Sequence, residues 1–208
     1  DAGCAPAAAT MAINLANRLG NTKSTLSFDN AITNALQYKA ANDGVTADYF
    51  IDEFARNNLS TAFFSGQQEN MSDSVVNMLR DRRPIVLLGQ NGDNTNKKNS
   101  PFGPEGHYVV ATGISDDGKY IYINDPESKK PNMAYPINSV LDHVTIGMAP
   151  VPKNSKMDAK VRNAKIRDYM KQYRGMAPLA GSSNREKVWN YMRAHGYSDA
   201  AVVRRLLV

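Results

Sequence analysis

The chain has 208 residues, 42% of them hydrophobic, with 25 Lys and Arg against 20 Asp and Glu. That length can bury one sizeable core and a smaller appendage, and no run approaches the ~20 apolar residues of a membrane-spanning helix, so a soluble product is expected. The single cysteine, Cys4, rules out an internal disulfide and a zinc site built on several thiolates, and leaves the redox compartment open.

The charge is unevenly spread. Residues 150–208 carry 13 Lys and Arg against 4 Asp and Glu, whereas residues 1–149 carry 12 against 16. A boundary is therefore expected near Ala149-Pro150-Val151-Pro152, where proline and the change of charge coincide. The chain starts at Asp1 and shows no signal-peptide hydrophobic region, which reads as a processed product or an excised piece.

In chain order, Ala8, Met11, Ala12, Leu15, Ala16 and Leu19 recur at helical spacing and predict a buried helical face, with Pro6 suited to the first turn and Gly20-Asn21 to the stop. Further helices are predicted over Phe28–Lys39, Ala47–Arg56 and Asp73–Asp81. The last has Ser72 as its N-cap and Val75, Val76 and Leu79 turned inward. Arg83-Pro84 then leads into Ile85–Leu88, a short apolar run that reads as a buried strand. A loop rich in Gly, Asn and Pro follows. "HYVVATGI" and "KYIYIND" flank Asp116-Asp117-Gly118 and predict a β-hairpin. "PINSVLDHVTIGMAP" adds a short helix and a last strand. Helices first and an antiparallel sheet afterwards predict an α+β fold. Beyond it, 151–183 reads as a basic helical linker and 184–208 as a small helical segment.

Three residues carry candidate chemistry. Cys4 stands where a helix begins, and the partial positive charge and unpaired N–H groups there favour a thiolate. A small buried thiol is the plainer alternative for a lone cysteine. His107 opens one strand of the predicted hairpin, and Asp125 closes the other, so the two can lie side by side at one end of the sheet. A base whose second ring nitrogen is held by a carboxylate is what activation of a thiol requires. His143 competes with His107 but has no evident carboxylate partner, and is read as structural.

Gly-Cys-x-Pro-Ala at a helix start, Gly-His-Tyr-Val-Val on a strand and Tyr-Ile-Asn-Asp-Pro on its partner together resemble a papain-like cysteine peptidase. More narrowly, over about residues 3–148 they are similar to the bacteriocin-leader (double-glycine) peptidases and their stand-alone relatives, the thirty-ninth cysteine-peptidase family. The resemblance implies a papain-like fold with N-terminal helices packed on an antiparallel sheet, Cys4 as nucleophile, His107 as general base and acid, and Asp125 as the orienting carboxylate. It implies no cofactor and no metal. These families also place an oxyanion-stabilising Gln a few residues before the cysteine. Only Asp1-Ala2-Gly3 precede Cys4, so either that Gln lies upstream in a longer parent chain, which is the favoured expectation, or the oxyanion hole is crippled.

"NREKVWNYMRAHGYSDAAV", about residues 184–203, resembles the opening helices of phage-tail-type lysozyme domains, without their Gly-rich continuation or catalytic glutamate. That likeness favours peptidoglycan peptides as substrate and an extracellular, wall-associated or virion-associated setting. The basic segment would attract anionic wall polymers. Its aromatics form no evident stacking surface, so nucleic acid is not expected as a partner. Two other readings stand beside the wall hydrolase: a non-catalytic binding or assembly module of a phage tail or secretion apparatus, and a leader- or effector-type peptidase. Phosphate-loop, dinucleotide and His-Glu-x-x-His motifs are absent.

Overall fold

The computed structural model describes residues 3–20, 22–38, 44–66, 71–91 and 99–153. Helix α1 (Cys4–Leu19) starts after Gly3, carries Pro6 in its first turn, and stops at Gly20, whose N–H bonds the Ala16 carbonyl. Its inward stripe is small and turned away from the expected one: Ala5, Ala8, Ala9 and Ala12 are fully buried, whereas Met11, Leu15 and Ala16 are half-buried and Leu19 is exposed. Methyl-sized side chains let the helix axis lie close to the sheet, which is why an alanine-rich segment serves as the central element. Asn14 braces the following turn by exchanging hydrogen bonds with the backbone of Leu26.

Helix α2 (Phe28–Ala35) is capped by Ser27, whose hydroxyl accepts the Asn30 N–H, and it tightens into a 3-10 turn over Leu36–Tyr38. Helix α3 (Asp48–Arg56) packs Tyr49, Phe50 and Phe54 into the core. Strand β1 (Leu59–Ser65) follows, then α4 (Met71–Arg80), β2 (Ile85–Gly89), β3 (His107–Ile114), β4 (Tyr120–Asn124), β5 (Met133–Pro136), α5 (Ile137–Leu141) and β6 (Val144–Pro152). The six strands form one sheet in the order β1-β6-β2-β3-β4-β5, and every pairing is antiparallel.

Both faces of the sheet are covered. Val86, Leu88, Tyr108, Val110, Ile146 and Met148 join the core under α1, α2 and α3. Ile85, Leu87, Val109, Ala111, Ile121 and Ile123 join the second core, under α4 and α5. The alternation along β2 and β3 is the two-residue period of a strand with apolar layers on each side, and it explains why "IVLLG" is apolar throughout.

Four expectations are corrected. Strand β1 interrupts the helical half, so helices and sheet are not cleanly segregated in sequence, and α4 lies on the opposite face from α1–α3. Ser72 sits inside the first turn of α4 and does not cap it, because the helix begins at Met71; Val76 is half-buried, and only Val75 and Leu79 of the named trio are fully turned inward. Strand β5 was not foreseen. Finally, Pro150 and Pro152 do not end the sheet: β6 runs through both, with Thr61 opposite Pro150 and Leu59 opposite Pro152. The β2 pairing of β6 covers only Val144 to Met148, so at the prolines no second neighbour asks for the missing N–H.

Candidate active site

Three elements bring the predicted residues to one end of the sheet. Cys4 is the first residue of α1, His107 the first of β3, and Asp125 directly follows β4. His107 Nε2 donates to Asp125 Oδ1 at 2.7 Å, with both side chains more than nine-tenths buried. The carboxylate can only accept, so Nε2 keeps its proton whether the ring is charged or neutral, and Nδ1 is the nitrogen that can gain or lose one. Asp125 is itself held: its Oδ1 also accepts the Glu127 N–H at 2.9 Å, and its carbonyl accepts the Ser128 N–H. The Asp-Pro-Glu-Ser turn is thus a clamp that aims the carboxylate, which gives the proline in "INDPES" a mechanical reason.

Burial works against a charged imidazole at His107. Hydrogen bonds to Asp125 and to Cys4, with charge interactions with the same two groups, outweigh it and push the pKa up to about 9. With Nε2 committed to Asp125, the Cys4 bond falls to Nδ1. Glu127, half-exposed, brings a second carboxylate to 4.0 Å from the same nitrogen. At neutral pH the imidazole is therefore a cation beside the sulfur. The first N–H groups of α1 add positive potential there and have no acceptor within the helix.

The supporting shell was less legible. Gly89 pairs with His107 across β2 and β3, and a Cβ at Gly89 would sit 2.5 Å from the ring of fully buried Phe102. Phe102 therefore closes over β2 beside the residue that pairs with His107. Tyr108, next in the chain, stacks on Phe50 at 4.9 Å and donates its hydroxyl to the Val45 carbonyl, pinning the start of β3 to the segment before α3. The "HY" pair hints at such an anchor, but nothing local announces Gly89 or Phe102. Gln90 bonds the Pro104 carbonyl through its amide and so steadies the loop entering β3. His143 stands between α5 and β6, where its carbonyl accepts the Gln90 N–H; its imidazole has no carboxylate partner among the described residues. No cluster of metal-ligating side chains occurs among the described residues, and no helix among them is long and apolar enough to cross a membrane.

Helices on a six-stranded antiparallel sheet, with the first helix and the sheet meeting at a Cys–His–Asp cluster, give the papain-like cysteine-peptidase fold. The model of the Peptidase_C39 like family matches residues 1–145, and the chain belongs to that family. Three solved structures illustrate its surroundings. A protein described as a C39-like peptidase from Bacillus anthracis is 12% identical, with a TM-score of 0.48, covering 73% of this chain and 89% of that one. The peptidase domain of Streptococcus ComA, a bifunctional ABC transporter of a quorum-sensing pathway, is 14% identical, with a TM-score of 0.47 over 73% and 92% of the two chains. A double-glycine-motif protease from an AMS/PCAT transporter, crystallised with its leader peptide, is 18% identical, with a TM-score of 0.43 over 71% and 84%. Curated proteins offer no match. Residues 184–203, read as a lysozyme-like stub, lie outside both the family match and the described residues.

Proposed function

We propose that the chain is a cysteine peptidase in which Cys4 is the nucleophile, His107 the general base and acid, and Asp125 the orienting carboxylate. The observation that carries this reading is the buried 2.7 Å bond from His107 Nε2 to Asp125, which leaves Nδ1 to Cys4. The thiolate attacks an amide carbonyl and forms a C–S bond. The N–H groups at the start of α1, that of Cys4 among them, face the developing oxyanion. Imidazolium Nδ1–H passes its proton to the leaving amine as the C–N bond breaks. Neutral His107 then takes a proton from water, whose oxygen attacks the thioester, and the C–S bond breaks to release the acid and restore the Cys4 thiolate beside imidazolium. Asp125 stays ionised and holds the ring throughout.

For the substrate we favour bacterial wall peptides, met outside the cell or on a virion. The support is the strongly basic segment after residue 149 and its sequence likeness to wall-hydrolase modules. We divide the chain at about residue 150 into peptidase, basic linker (151–183) and terminal helical segment (184–208). The competing substrate is a double-glycine leader peptide, the kind of ligand present in the leader-bound transporter protease.

Iodoacetamide labelling at neutral pH, followed by hydrolysis assays on peptidoglycan fragments and on double-glycine peptides, tests the reading. Rapid labelling of Cys4, and hydrolysis that disappears in Cys4→Ala without loss of fold, are expected. Sluggish labelling would leave the binding-module reading in its place. Cleavage of double-glycine peptides alone would move the substrate to leader peptides.

A further inference from the structure

Two cavities share the flank of α1 that faces the β3–β4 hairpin. One, of about 550 Å³, extends to Tyr122 and Asn132. The other, of about 270 Å³, reaches back along the helix to Met11. Leu15, Arg18, Thr112 and Asn124 line both, so they make one continuous groove.

Cys4, His107 and Asp125 line neither cavity, but the walls of the groove begin at these residues. An α-helix turns about 100° per residue, so positions 4, 11, 15 and 18 of α1 fall within about 60° of one another. The face that begins with Cys4 therefore runs through Met11 and Leu15 to Arg18. The opposite wall has the same origin, since His107 opens the strand that carries Thr112, and Asn124 directly precedes Asp125.

Its chemistry is that of a peptide track. On β4 the isoleucines, Ile121 and Ile123, are buried in the second core, whereas Tyr122 and Asn124 are only half-buried and line the groove. Asn124 Oδ1 accepts the Asn132 N–H at 2.6 Å, and Asn132 Oδ1 accepts the Thr112 hydroxyl at 2.9 Å. With each amide oxygen engaged, the two NH2 groups are what these side chains can offer a ligand. Arg18, exposed, is the one charged side chain lining either cavity, and it forms no ion pair among the described residues.

We propose that this groove holds an extended stretch of the substrate, and that Arg18 selects an acidic residue about six residues from the scissile bond. The fourteen steps from Cys4 to Arg18 rise ~21 Å, which an extended peptide covers in about six residues at ~3.3 Å each. The proposal rests on the peptidase reading. Arg18 also suits the negative end of the α1 dipole, but that role would alter stability and not the choice between peptides.

The test uses epoxysuccinyl hexapeptides, which alkylate a thiolate without needing turnover, extended from either carbon of the ring and ending in Glu or Gln. Iodoacetamide labelling of the unmodified protein is run beside them. Alkylation of Cys4 about three- to fivefold faster by the Glu probe, in one of the two orientations and at low salt, is expected for a solvent-exposed ion pair. That preference should vanish in Arg18→Gln, persist in Arg18→Lys and fade in about 1 M NaCl as the charges are screened. Equal rates for Glu and Gln probes in both orientations, with brisk iodoacetamide labelling, would overturn the groove proposal alone. A Glu preference surviving Arg18→Gln would overturn the role of Arg18. Failure of iodoacetamide to label Cys4 would overturn the peptidase reading, and this proposal with it.

Discussion

At the scale of single residues, the site depends on how His107 is charged. Its ordinary pKa of 6.5 is pushed up to about 9 in the folded chain, so between those values the native state binds a proton that the unfolded state releases. The stability this contributes is full below about pH 6.5 and is lost as pH rises through about 9. The groups facing the imidazole are Asp125 and Glu127 from the turn after β4 and Cys4 from α1. Thermal midpoints measured from about pH 6 to about pH 10 should fall across this window, and the fall should flatten in His107→Gln. A wild-type midpoint that is level or rising there would contradict the assigned proton. Turnover should decline over the same alkaline limb, because the leaving amine then loses its acid. His107→Ala should lower turnover by ~10²–10⁴, the usual weight of a general acid–base group.

At the scale of elements, two braces have no chemistry of their own. Glu53 is buried in α3, yet it accepts from Asn34 of α2, from Arg56 and from Asn57, which ties the second helix to the third. Glu53→Ala should destabilise the fold by about 1.5–3 kcal/mol, the weight of hydrogen bonds to a charged group, read as a lower urea midpoint. Gly89 is the other. The methyl of Gly89→Ala would meet the Phe102 ring far inside van der Waals contact, so the ring or the β2–β3 pairing that seats His107 must shift. Both the thermal midpoint and the Cys4 alkylation rate should drop in that variant, and a loss of stability with unchanged alkylation would separate Phe102 from the site.

The same elements show what could be read from sequence. The β3–β4 hairpin was legible because both strands and their turn are contiguous, and α1 was legible as a helix, though not in which face it buries. The clustering of Cys4 with His107 came only from the likeness of short motifs. Strand β1 escaped because its partner, β6, lies more than eighty residues further on, and nothing in "LSTAFFS" names that partner. Strand β5 escaped because only four residues pair, along the edge of β4. Phe102 over Gly89 is a contact made by a loop, where neither helical nor strand periodicity applies.

At the scale of the whole molecule, the described residues already contain the sheet, both apolar layers and the candidate site. A chain ending at Lys153 should therefore fold by itself and keep its Cys4 alkylation rate. Limited proteolysis of the full chain should cut between residues 153 and 183 before it enters the core. If the shortened chain does not fold, or the core is cut first, the proposed division of the chain is wrong.

The position of β6 has a consequence for when activity can arise. Among the described residues it is the last strand in sequence but the second in the sheet, joining β1 to β2. Until residues 144–152 have left the ribosome, β1 has no partner, and the apolar layer under α1 lacks Ile146 and Met148. Cys4, His107 and Asp125 are all synthesised earlier, yet the apolar layer that holds α1 against the sheet stays incomplete until β6 is threaded between β1 and β2. Such long-range closure is intrinsically slow. For a peptidase this amounts to a safety interval during synthesis, in which the thiol is present but not yet armed.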